Sequence, residues 1–137
     1  MKKSLLLLML LIGTLLAACA ASTSKELLGD WKLVSYGSTS NPTPAAPNVE
    51  TSLTFGSDGK VGGSMGCNSF GGDYKAGKGT ITFGAIAATE MACEESLMQQ
   101  EAAIFSIFSG TTSFKVEGNT LTITSTDGNS AAVFAKK

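Results

Sequence analysis

The chain has 137 residues, enough for one domain. It carries ten lysines and no arginine against eleven acids, for a formal charge of −1. It has no histidine, which excludes imidazole-based catalytic dyads and triads, histidine zinc sites and a histidine pH switch. The near-neutral charge offers no basic footprint for nucleic acid.

The first element is an export signal. Met1-Lys2-Lys3-Ser4 is a short positive region, and Leu5 to Leu16 is apolar apart from Gly13 and Thr14. Twelve residues are too few to cross a bilayer as a helix, which takes roughly 20. The pattern predicts a secretory signal peptide over residues 1–18. It ends in Leu16-Ala17-Ala18-Cys19, which resembles a bacterial lipobox. That resemblance implies cleavage before Cys19, thioether lipidation of its sulfur and acylation of the new amine. Several acyl chains hold a protein firmly, at about 0.8 kcal/mol per buried CH₂. Ala20 follows rather than aspartate, which in a Gram-negative host points to the outer membrane, facing the periplasm. Residues 19–24 then form a short tether. Without Lys2 and Lys3 the mature chain has eight lysines against eleven acids, a formal −3 over 119 residues. Such a surface gives no reason to expect nucleic acid or anionic lipid as a partner.

After Ser24 the apolar period is mostly two, which argues strands. The candidates are Trp31 to Tyr36, Ser52 to Phe55, Lys60 to Met65, Phe70 to Tyr74, Thr80 to Phe83, Thr112 to Val116, Leu121 to Thr124 and Ala131 to Ala135. Asp58-Gly59, Glu117-Gly118-Asn119 and Asp127-Gly128-Asn129 read as hairpin turns. Gly37 to Thr51 holds all three prolines and reads as a surface loop, an insertion tolerated in a hairpin rather than a partner-binding loop. From Glu94 to Phe108 the spacing turns helical through Leu97, Ile104, Phe105 and Phe108. Glu94 and Glu95 suit the positive end of the helix dipole, and Gly110 is placed to stop the helix at C′. The expected fold is α+β: a strongly bent antiparallel sheet of about seven or eight strands, a partial barrel, packed against one helix.

With Cys19 committed to lipid, Cys67 and Cys93 remain. An even pair in an exported protein reads as a disulfide closing a loop of 26 positions, worth roughly 3 kcal/mol by chain entropy. It would tie the end of one strand to the start of the helix. A redox pair and two reduced buried thiols are the competing readings; a Cys-x-x-Cys motif is missing. Glu90, Glu94, Glu95, Asp58 and Asp73 lack the rhythm of a calcium loop or a paired-carboxylate centre. Gly62-Gly63-Ser64-Met65-Gly66 lacks the Gly-Lys-Ser/Thr ending of a phosphate loop. Ser64 and Ser69 have no base beside them. No catalytic residue, metal ligand or cofactor is assigned.

Together these features resemble the META domain family, also called HslJ-like. The residues that carry the resemblance run from Leu28-Gly29-Asp30-Trp31-Lys32-Leu33 through Leu53-Thr54-Phe55 and Asp58-Gly59 to Gly66-Cys67-Asn68-Ser69-Phe70. They continue with Thr89-Glu90-Met91-Ala92-Cys93, then Glu101 and Phe105, Leu121-Thr122-Ile123 and Phe134. Trp31, Gly66, Cys67, Asn68, Thr89, Met91, Ala92 and Cys93 are the motif residues, and the domain spans 25–137. The family implies a small α+β fold in the cell envelope, with links to heat shock, antibiotic resistance and secretion, and no established catalytic residues. The longer Pro-rich loop departs from its pattern. The reading that follows is a lipid-anchored, non-catalytic binding or accessory module, monomeric, with an envelope protein as partner. A protease inhibitor or small-ligand carrier is the alternative, and a thiol oxidoreductase on Cys67 and Cys93 the third.

Overall fold

The computed structural model describes residues 24–137. The expected signal peptide, Cys19 and all of the expected tether except Ser24 lie outside the described residues. A single turn of 3₁₀ helix, Lys25–Leu27, leads into β1, Gly29–Ser38. There alternation begins: Trp31 and Leu33 point into the core while Asp30 and Lys32 face out. The Trp31 indole donates to the carbonyl of Leu27 at 2.8 Å, so the buried ring leaves no polar atom unpaired. The Lys136 ammonium lies 4.3 Å from its centroid.

The remaining long strands are β3 (Ser52–Phe55), β4 (Lys60–Ser64), β5 (Ser69–Ala76), β6 (Thr80–Phe83), β8 (Thr111–Glu117), β9 (Thr120–Thr124) and β10 (Ser130–Lys136). β3, β6 and β9 alternate inward apolar with outward polar residues, and every strand pairs antiparallel with its neighbours. The order runs β10, β9, β8, β6, β5, β4, β3, β1, and β1 returns to β10 through Leu33 opposite Phe134. The expected partial barrel is therefore a closed eight-stranded ring, which leaves no long edge to aggregate. The hairpins turn where Asp58-Gly59, Gly118 and Asp127-Gly128 predicted. Asp58 accepts from the Lys60 amide, and Asp127 accepts from Ser125 and Asn129.

Two short strands lie outside this ring. β2, Thr43–Pro44, pairs with Ser35 and Tyr36 of β1; β7, Ala87–Ala88, pairs with Gly71 and Phe70 of β5. The Pro-rich stretch is thus not a free loop. Prolines suit an outer strand that owes no N–H to a ladder. The Ala45 amide donates to Val34 and the Ala46 amide to the Gln100 side chain, while buried Thr51 accepts from Leu33 N–H at a register shift in β1. The segment straps β1 to the helix.

That helix, α1, covers Glu95–Ile107. It packs on β1 and β10, and Phe108 just beyond it stacks on Phe83 at 4.6 Å between centroids. Phe105 meets Phe70 edge-on at 5.4 Å. Gly110 does not occupy the C′ position: Phe108 caps the helix, and the Gly110 carbonyl, two residues on, accepts from Phe83 N–H. The glycine opens the approach to β8 rather than closing the helix.

Candidate functional site

The motif residues other than Trp31, which lies in the core on β1, converge on one polar clip beneath α1. Cys67 and Asn68 lie in the bend between β4 and β5, and Thr89 to Cys93 form the extended lead-in to the helix. Cys67 and Cys93 are disulfide-bonded, with Cα atoms 6.0 Å apart. This is the strand-to-helix tie expected from the sequence, and neither cysteine is a free thiol here.

Asn68 occupies the centre. Its backbone N–H donates to Glu101 Oε2 at 2.8 Å and its Nδ2 to Glu101 Oε1 at 2.7 Å. Its Oδ1 accepts from the Thr89 hydroxyl at 2.9 Å and from Met91 N–H at 2.8 Å. Thr89 Oγ1 in turn accepts from Ser69 N–H, and Thr89 N–H donates to the Ser69 carbonyl. One side chain therefore reads both signatures and locks them in register. The logic is physical: an amide donates from one end and accepts at the other, so its Nδ2 can serve a carboxylate on one side while its Oδ1 takes two donors on the opposite side.

Glu101 is only 7% exposed, and among the described residues no lysine pairs with it. Its charge rests on the two Asn68 donors. Its neighbour Gln100 is fully buried, donating to the Met65 carbonyl at 2.6 Å and accepting from Ala46 N–H at 2.8 Å. These two residues anchor the helix to both the strap and the bend. The burial of Gln100 was not foreseen, and Glu101 was placed only through the family pattern. Its signal was available, since Leu97, Gln100, Glu101, Ile104 and Phe108 fall on one helical stripe, and polar residues on such a stripe need buried partners.

Gly66 completes the bend. Its φ is +112°, and a Cβ there would meet Val49 at 2.8 Å as well as Gln100 and Leu97. Ala92 and Met91 are exposed on the outer side of the clip.

Beside the clip lies a groove formed by two adjoining hollows of about 590 and 310 Å³. Ile86, Ala88 and Phe105 line both; Met98, Met91, Glu90 and Glu101 line the larger. Met91 is 58% and Met98 48% exposed, although both are large apolar residues. A separate hollow lined by Ser106, Ser109, Ser125, Thr126 and Asp127 is hydroxyl-rich. Its one carboxylate is already engaged: the Ser125 hydroxyl, followed by the Asn129 donors, holds the Asp127 carboxyl below the ordinary aspartate range. Ser64 is likewise engaged, accepting from Gly66 N–H. Among the described residues no three His, Cys, Asp or Glu side chains gather as metal ligands. No helix there is long and apolar enough to cross a membrane.

Comparison with solved structures places this fold among small bacterial domains. The chain resembles a protein from Burkholderia xenovorans solved by NMR, with a TM-score of 0.66 and 21% identity over 79% of this chain and 81% of that one. It also resembles a DUF4847 family protein from Bacteroides vulgatus ATCC 8482, with a TM-score of 0.58 and 16% identity over 82% of this chain and 95% of that one. Such identities speak to the fold alone. None of the curated proteins matches. The META domain family model matches residues 25–137, which takes in the clip, the disulfide and the opening Trp31. The chain belongs to the META domain family.

Proposed function

We propose that this protein is a lipid-anchored, non-catalytic binding module of the cell envelope, held to the membrane at Cys19 and serving envelope integrity or protein export under stress. One observation carries the non-catalytic part. The motif residues spend their polar atoms on one another: Asn68 on Glu101, Thr89 and Met91, and Cys67 on Cys93. A reacting centre needs a nucleophile or base left free to meet substrate. This cluster instead builds a rigid platform and presents exposed Met91 and Met98 next to it. Methionine at a surface suits recognition, because its side chain is flexible and polarisable. The anchoring part rests on Leu16-Ala17-Ala18-Cys19 and the preceding apolar run.

The test has two arms. Fractionation of cells producing Cys19→Ser should move the protein from the membrane pellet to the soluble fraction; continued pelleting refutes the anchor. Crosslinking of intact envelopes followed by purification of the wild-type chain should retrieve a reproducible protein partner. Failure to retrieve any, with purified protein turning over no envelope substrate, refutes the binding reading.

A further inference from the structure

The groove beside the clip is shaped like a missing strand. β6 pairs with β5 on one side and β8 on the other, and the β8 ladder reaches back to Gly110 opposite Phe83. There the chain that would continue β8 has turned away into α1. The line of β6, however, goes on. After an added residue near Ala85 it resumes as β7 along β5: the register is Tyr74 opposite Phe83, then Gly71 opposite Ala87. Gly72 makes room for that irregularity, since a Cβ there would lie 2.6 Å from the Ala85 carbonyl oxygen. β7 thus has a partner on one side only, and its other side borders a vacancy outside the closed ring, walled by Phe105, Phe108 and Gly110.

The ladder phase shows which groups face that vacancy. Thr89 N–H donates to the Ser69 carbonyl, so in an antiparallel pair the alternate residue, Ala87, also faces β5. Ala88 between them directs its N–H and carbonyl outward, into the groove it lines. The charge there has one sign. From Gly79 to Phe114, which includes β7 and α1, the chain carries Glu90, Glu94, Glu95 and Glu101 and no lysine. Two of these acids line the groove.

We infer that this groove takes an extended segment of a partner protein as an added strand on β7, with apolar side chains against Met91, Met98 and Phe105 and a lysine or arginine near Glu90 and Glu101. The backbone supplies affinity and alternate side chains supply selectivity, as in other strand additions. The inference rests on the binding-module reading and names its partner chemistry.

The probe is a blocked nine-residue peptide of alternating valine and threonine around a central lysine, labelled and titrated against the full-length chain in detergent. Binding should weaken at least tenfold when the lysine becomes glutamate. A strand offers its amides alternately to its two edges, so two backbone-methylated versions are decisive: methylation of one alternate set should abolish binding, and methylation of the other should preserve it. Met98→Lys, at an exposed position, and Ala88→Pro, which removes an N–H that β5 does not use, should each weaken binding at least tenfold with unchanged melting. The inference is overturned if the parent peptide fails to bind at millimolar concentration, if both methylated peptides bind like the parent, or if Met98→Lys has no effect. A concentration-dependent dimer in sedimentation that Met98→Lys abolishes also overturns it, giving the groove to a second copy. An envelope partner that Met98→Lys retrieves as well as wild type defeats this groove while leaving the binding module standing.

Discussion

Replacing Asn68 by alanine tests the clip most directly. The change removes four side-chain hydrogen bonds: one to the Glu101 carboxylate at 2.7 Å, one from the Thr89 hydroxyl at 2.9 Å, one from Met91 N–H at 2.8 Å and a weak one to the Cys67 sulfur at 3.3 Å, which adds little. A hydrogen bond to a charged group contributes about 1.5–3 kcal/mol, and a neutral one about 0.5–1.5. Thr89 and Met91 are exposed, so water replaces their lost acceptor and they count at the low end. Glu101 has no such recourse: at 7% exposure it keeps only the Asn68 backbone donor. The sum is about 3 kcal/mol, which for a domain of this size lowers the melting temperature by about 10 °C. Circular dichroism melts of oxidised wild type and Asn68→Ala read it. Asn68→Asp sharpens the test. It keeps both acceptor bonds but sets a second carboxylate against Glu101, so it should be worse than alanine at pH 7. Two carboxylates in one site raise the pKa of one in the folded state. A raised folded value means stability is present at low pH and lost as pH climbs through it, so Asn68→Asp should recover relative to wild type on acidification. If Asn68→Ala melts within about 2 °C of wild type on the same scale, or Asn68→Asp shows no such recovery, the clip does not hold helix to sheet.

Three further outcomes are expected. Cys93→Ser should cost about 2–4 kcal/mol against oxidised wild type, by releasing the 26-position loop; denaturant midpoints measure it, and equal midpoints would show that the clip alone suffices. Gly66→Ala meets both the +112° backbone and the Val49 contact at 2.8 Å, so it should cost more than the about 1 kcal/mol of a left-handed residue alone, whereas Gly79→Ala, with open space around it, should cost only the backbone part. An NMR titration should find the Asp127 carboxyl below the ordinary aspartate range, held there by Ser125 and Asn129. Its contribution is therefore present above the unfolded value and lost as pH falls through the folded one. Ser125→Ala should return it toward normal; an unchanged titration would discard the assignment.

The long strands were legible because alternation and turn chemistry agreed. Ser52 to Phe55 and Thr80 to Phe83 were read with their observed bounds, each beside a glycine-bearing turn. The helix followed from its apolar stripe, and the disulfide from the even pair that remains once Cys19 is set aside as the expected lipid site. The two short outer strands gave no such signal. Ala87-Ala88 has neither alternation nor β-branched residues, and its conformation is imposed by the open side of β5 next to Gly71. Thr43-Pro44 was hidden by the prolines, which read as loop. The clip was half visible. The family pattern marked its residues, but that Asn68 touches Glu101, Thr89 and Met91 at once depends on contacts between positions 33, 21 and 23 apart, which no local pattern encodes. The groove depends on a vacancy in a ladder, and a gap leaves no mark on a sequence.

The closure of β1 on β10 has a consequence for how the molecule is made. Trp31 lies opposite Lys136, and the Lys137 amide donates to the Asp30 carbonyl, so the seam joins the first strand to the last across more than a hundred positions. Hairpins from β3 onward can form as each pair emerges, but the ring itself has to await the C-terminal residues. Until they arrive, β1 keeps an open edge and Trp31 lacks the Lys136 side chain that lies over its ring. Such a high-contact-order seam is slow to form. A chain moved through a narrow pore before completion therefore cannot jam it as a finished barrel, and loss of only the last eight residues, β10 (Ser130–Lys136) and Lys137, would leave every earlier hairpin possible and the cylinder unsealed.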